Sequence, residues 1–121
     1  MKIYVMVNHE LTSDQLIGLN GYELVYPTEV IKKGLVNSPD DEQGLQSLVY
    51  EIVNYLNDQN INTVLCPAGS PIFMAMFAIV CNRYIINLMF SHSIRISNEV
   101  TNPNGSVTKS NVFKHIKYIT L

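Results

Sequence analysis

Apolar positions change their period several times along the chain, and each change marks an element. Residues 2–7 (KIYVMV) form a short, β-rich apolar run that predicts a buried strand. Asn8 to Thr12 breaks it. Ser13 then reads as the N-cap of a short helix carrying Leu16, Ile17 and Leu19, closed by Asn20-Gly21. Tyr22 to Tyr26 alternates as a second strand up to Pro27, and Thr28 to Leu35 predicts a turn or two of helix before a loop through Asn37, Ser38 and Pro39. The strongest helical signal runs from Asp40 to Asp58. There Leu45, Leu48, Val49, Ile52, Tyr55 and Leu56 recur at steps of three and four behind an acidic first turn.

Ile61 to Cys66 predicts a third strand, and Pro67-Ala68-Gly69-Ser70-Pro71 turns it into a helix with Ser70 as N-cap and Pro71 at its first position. From Pro71 to about Asn82 this helix is apolar on every face, which predicts that it is enclosed on every side. Tyr84 to Phe90 reads as a fourth strand. A last pair, Ser93 to Thr101 and Val107 to Ile119, is joined by Asn102-Pro103-Asn104-Gly105 as a hairpin. In its second strand, Phe113, His115, Lys117 and Ile119 are expected on one side. Alternating strands and helices predict an α/β sandwich with a mainly parallel sheet, right-handed crossovers and a C-terminal β-hairpin. Ligands of such sheets sit at the carboxyl ends of strands. That rule selects Asn8 to Thr12, Pro67 to Pro71, and Ser91 to Arg95.

The length of 121 residues predicts a single domain, 1–121. With 47% apolar and 15% charged residues, disorder is excluded. A lone domain of average composition carries about 25% charged residues, so a partner is expected to cover part of the apolar surface. The longest apolar run, Pro71 to Cys81, falls short of the roughly 20 residues a membrane span needs, and no signal peptide is read at the start. Cys66 and Cys81 lack any metal-ligand spacing and read as buried free thiols of a cytoplasmic protein. Net charge is −2 but unevenly spread: residues 1–60 hold three basic and nine acidic residues, whereas residues 91–121 hold Arg95, Lys109, Lys114 and Lys117 against Glu99 alone. Such a field argues against a binder of long nucleic acid and admits a small anion at the basic end. An ordinary solvated hairpin has the same charge pattern.

Several chemistries are absent. There is no GxxxxGK[ST], GxGxxG or GxSxG, and no acid lies between Gln59 and Asn98, so paired carboxylates for a two-metal centre are missing there. No metal site or cofactor is expected. The remaining polar candidates are His9, Thr12, Gly69, Ser70, Ser91, His92, Ser93, Arg95, Asn111, Lys114 and His115. Gly69-Ser70 offers bare peptide N–H groups at a helix start, the usual phosphate cradle, although a plain cap has the same sequence. His9 lies just past the first strand, where a side chain faces the crevice; a plain surface histidine is the simpler reading of the same position.

The opening (IYVMVNHELTSDQ), the ending (NGSVTKSNVFKHIKYI) and the Asn37-Ser38-Pro39 loop resemble the small stand-alone CRISPR-associated proteins of the Csx group. These are related to the CARF domains, the sensors of cyclic oligoadenylates in type III CRISPR systems. The resemblance implies a Rossmann-like, CARF-like three-layer fold and a homodimer binding a cyclic oligoadenylate, most simply cyclic tetra-adenylate, across its two-fold axis. It also implies metal-free cleavage, in which a ribose 2′-hydroxyl attacks its adjacent phosphate and leaves a 2′,3′-cyclic phosphate. Two alternatives are a sensor or sponge that binds the ring without cutting it, and a protein-interaction domain with no nucleotide ligand. For cleavage, a histidine is the natural base and a cation the stabiliser. On this reading His9 is the first choice as base and His115 the second, with Arg95 or Lys114 on the phosphate. Asn8, Thr12, Gly69, Ser70, Ser91, His92, Ser93 and Asn111 are then the ligand contacts. An acid placed at Gly69 is expected to abolish binding with little loss of fold.

Overall fold

Short strands alternate with helices until the chain doubles back on itself as a long hairpin. In the computed structural model, which describes residues 1–121, the order is β1 (Lys2–Val5), α1 (Ser13–Gly18), β2 (Glu23–Val25), α2 (Glu29–Val36), α3 (Glu42–Asp58), β3 (Thr63–Cys66), α4 (Pro71–Arg83), β4 (Asn87–Thr101) and β5 (Val107–Thr120). Side-chain caps start every helix. Thr12, one residue earlier than the sequence suggests, caps α1: its hydroxyl accepts from the Gln15 N–H while the Gln15 side chain accepts from the Thr12 N–H. Ser70 caps α4, with Pro71 at its first position.

The strands form one sheet in the order β2-β1-β3-β4-β5, with the first four parallel and β5 antiparallel to β4. The fold is therefore α/β, with a mostly parallel mixed sheet ending in an antiparallel hairpin. Strand order reverses at β1, so right-handed crossovers send helices to opposite faces. On one face, α2, α3 and α4 bury Ile31, Leu45, Ile52, Phe73 and Phe77 against Tyr4, Met6, Val64 and Leu88. On the other, Leu19 beside α1 packs with Ile3, Val5 and Leu65, flanked by Val7 and Tyr118.

Three expectations are corrected. The segment read as the start of the fourth strand is the turn that caps α4: Ile85 takes φ 57° and the Ile86 N–H bonds back to the Cys81 carbonyl. The fourth strand and the hairpin's first strand are then a single continuous β4. Second, α4 is not enclosed within one chain. Phe73, Phe77, Val80 and Cys81 fill the core, but Ile72 and Ile79 remain 58% and 57% exposed with Ala75 exposed between them. Uniform apolarity conceals which face the sheet takes. Third, a β-bulge breaks the alternation of β5. His92 pairs with Lys117 but Ser93 pairs with His115, leaving Ile116 as the extra residue. Phe113 and His115 consequently share the α1 side with Tyr118, while Lys117 and Ile119 lie on the opposite face. A single inserted residue moves everything beyond it to the other side.

Candidate functional site

Since β1 and β3 are neighbours whose connections leave in opposite directions, a crevice opens where their carboxyl ends meet. Asn8 follows β1 there, and the Pro67–Ser70 turn follows β3. The Gly69 N–H donates to Asn8 Oδ1 and the Ser70 N–H to Ser38 Oγ, each at 3.4 Å. Ser70 Oγ meanwhile accepts from the Phe73 N–H at 3.2 Å. Two peptide N–H groups at the start of a thirteen-residue helix thus rest on long, weak bonds to neutral oxygens, which an anionic oxygen can replace with gain. Gly69 is dictated by the backbone. It adopts φ 75°, and a Cβ would come within 2.8 Å of Cδ1 of the fully buried Phe73. The expectation that an acid at Gly69 leaves the fold intact is therefore wrong.

Beside this crevice lies a cavity of about 590 Å³ between α1 and α2, at the carboxyl ends of β1 and β2. Leu11, Leu16, Leu35 and Tyr26 give it apolar walls, while Asn8, His9, Glu10 and Lys32 bring polar groups of both charges to it. Its volume suits a nucleotide-sized ligand. His9 Nδ1 lies 2.7 Å from the Glu10 carbonyl oxygen. A carbonyl only accepts, so Nδ1 is the donor, and in the neutral ring the lone pair is then on Nε2. The Lys32 ammonium stands 3.6 Å from Glu29 Oε1, an exposed pair that leaves the charge largely available.

A second polar cluster forms on the α1 side of the sheet, at the root of the hairpin. Ser91 Oγ contacts His115 Nδ1 at 2.5 Å and Ser93 Oγ at 3.4 Å. The rings of His115 and Tyr118 lie 4.4 Å apart, and the Tyr118 hydroxyl donates to the Gln15 carbonyl of α1 at 2.7 Å. Burial raises the pKa of that hydroxyl, which keeps it a donor. Gly18 allows this approach, for a Cβ would meet the Tyr118 ring at 2.9 Å. Cys66 pairs with Phe90, so Ser91 begins two strand spacings from β1, about 10 Å.

The sequence candidates thus fall into separate places. Asn8, Gly69 and Ser70 meet at the crevice, His9 lines the adjoining cavity, and Ser91, Ser93 and His115 form the second cluster. Thr12 serves as a helix cap. His92 lies on the far face beside Lys117. Arg95 rests over the Phe113 ring at 5.9 Å, Lys114 faces the other way opposite Ile94, and Asn111 accepts from the Ser97 hydroxyl at 2.9 Å. None of the four lines the cavity. Nothing in the local sequence pattern marks Ser38, Lys32 or Tyr26 as site residues. The loop holding Ser38 was legible as a loop, but its hydrogen bond reaches across 32 positions and has no local signature. No three His, Cys, Asp or Glu side chains converge as ligands for a metal ion, and no helix is long and apolar enough to cross a membrane.

No curated protein and no solved structure matches the chain. A family model matches residues 1–119, nearly the whole sequence and thus every element that builds the crevice, the cavity and the hairpin. The chain belongs to the uncharacterized protein MJ1673 family.

Proposed function

We propose that this protein is a homodimeric, cytoplasmic ring nuclease with a CARF-like, Rossmann-like fold. It binds a cyclic oligoadenylate, cyclic tetra-adenylate first among them, and opens the ring without a metal, ending a type III CRISPR signal. The observation that carries this reading is the joining of two features at one strand reversal. One is a pair of helix-start N–H groups, Gly69 and Ser70, placed for a phosphate. The other is an adjoining apolar-walled cavity lined by His9, whose Nδ1 is engaged by the Glu10 carbonyl so that Nε2 is left for a ligand. The first holds an anion, and the second accepts a base and takes a proton. In cleavage, His9 Nε2 removes the 2′-hydroxyl proton, the 2′-oxygen bonds to phosphorus, and the 5′-oxygen leaves and takes a proton from water; Lys32 is the one lysine or arginine lining the cavity. Arg95 or Lys114, on opposite faces of the hairpin and outside the cavity, would stabilise the developing charge from a second copy. The exposed Ile72–Ile79 stripe of α4 supports the dimer.

Incubation with radiolabelled cyclic tetra-adenylate in EDTA tests the reading. Linear adenylates ending in a 2′,3′-cyclic phosphate are expected, and His9→Ala should slow single-turnover cleavage by about 10²–10⁴-fold with binding within a few-fold. If His115→Ala is impaired and His9→Ala is not, the base is His115. Ser38→Asp sets a carboxylate against the Ser70 N–H and should abolish binding while the fold survives. A ligand bound but intact identifies a sensor; a ligand not bound at all removes the nucleotide reading.

A further inference from the structure

Pairing with β3 stops at Phe90, and from Ser91 outward β4 has only β5 beside it. Two-stranded ribbons standing alone are marginal in water. This one is also two-faced. The face continuous with the α1 side carries Ser93–His115, Arg95–Phe113, Ser97–Asn111 and Glu99–Lys109, and its polar groups satisfy one another. Arg95 lies over Phe113, the Ser97 hydroxyl donates to Asn111, and Lys109 stands 3.5 Å from Glu99. The opposite face carries Ile94, Ile96, Val100 and Val112, with Lys114, Lys117 and His92 toward the root and Asn98, Thr108 and Ser110 toward the tip. Ile94, Val100 and Val112 are 44–57% exposed, and neither lysine has a carboxylate partner.

We infer that this apolar, lysine-bearing face of the ribbon seats the acidic half of a second copy of the chain. Charge selects that occupant. Residues 1–60 carry a balance of −6, including Asp40, Asp41 and Glu42 as an exposed run, while residues 91–121 carry +3. Two copies can satisfy both ribbons reciprocally, as a closed two-fold contact requires. A polyanion or an anionic membrane meets the same lysines but is repelled by the acidic half of a chain with net charge −2. The inference rests on the homodimer proposed above, assigns its contact to the ribbon rather than to the α4 stripe, and is independent of any nucleotide.

Sedimentation equilibrium of the full chain tests it. Wild type should be a dimer whose dissociation constant rises about tenfold or more between about 0.05 and about 0.5 M salt. Ile94→Glu/Val112→Glu should weaken the dimer by at least about 100-fold with an unchanged circular dichroism spectrum. Asn111→Asp, on the other face of the same ribbon and still able to accept from the Ser97 hydroxyl, should stay within a few-fold. A dimer that survives Ile94→Glu/Val112→Glu but is lost in Ile72→Glu/Ile79→Glu overturns the inference and leaves the homodimer standing on α4. A monomeric wild type overturns both, and retardation of a short RNA or flotation with anionic vesicles by that monomer would then assign the face to a polyanion.

Discussion

In β1 and β3 the strands are four residues long and every side chain after the first is buried; in β4 and β5 they are fifteen and fourteen residues long and most side chains face solvent. The short strands are held from both faces, by helices that bury Tyr4 and Val64 on one side and Ile3 and Leu65 on the other. The ribbon is held chiefly by its own hydrogen bonds. Length of pairing and depth of burial are therefore inversely related in this molecule. The parallel body carries the stability, and the ribbon carries surface.

Mutations should divide along that line. The largest loss is expected from Phe77→Ala, which opens a void beside Phe73 at a ring-centroid spacing of 5.6 Å; about 3–5 kcal/mol should disappear in urea unfolding. Val112→Ala on the ribbon should change monomer stability by no more than about 0.5 kcal/mol. Equal losses at the two positions would break the comparison.

The thiols supply a pH test of the body. Burial raises the pKa of Cys66, with Cys81 nearby adding to it, and burial pushes Cys81 up to about 12. These are acids held neutral in the fold, so the unfolded chain loses its protons first and binds fewer of them at alkaline pH. Stability from this source is intact below about pH 8 and falls as pH rises above the unfolded thiol value, by up to about 1.4 kcal/mol per pH unit for each thiol. Urea midpoints between pH 7 and 10 measure it, and Cys81→Ala should flatten the slope. A slope unchanged in that variant would place the titration elsewhere.

Two left-handed glycines sharpen the contrast. Gly69→Ala meets both an unfavourable φ and the Phe73 ring, so about 2–3 kcal/mol should be lost. Gly105→Ala, at φ 84° with open space around it, should lose about 1 kcal/mol, confined to the hairpin tip. Hydrogen exchange separates a global from a local effect. Smallest in the body is Ser70→Ala, which removes the α4 cap at a cost of about 1 kcal/mol.

The sequence by itself made most elements legible, the division of β4 excepted, because period, caps and turn residues are local. The helix over Glu42–Asp58, the Ser70-Pro71 start of α4 and the Asn-Gly hairpin were legible from side chains a few positions apart. It also marked Asn8, His9, Gly69 and Ser70, since strand ends in an α/β sheet are where ligands sit. Only the tertiary structure decided three other matters. Ile116 is nothing in the sequence until it faces no partner, and that one bulge sends His115 toward α1 and Lys117 away from it. Ser38 and Lys32 joined the crevice and its cavity because α2 and the loop after it fold over the strand ends, a contact set by packing between distant segments. The outer face of α4 was likewise unreadable: with apolar residues all round, the core claims one side by the geometry of the sheet beneath it, and leaves Ile72 and Ile79 to whatever covers them.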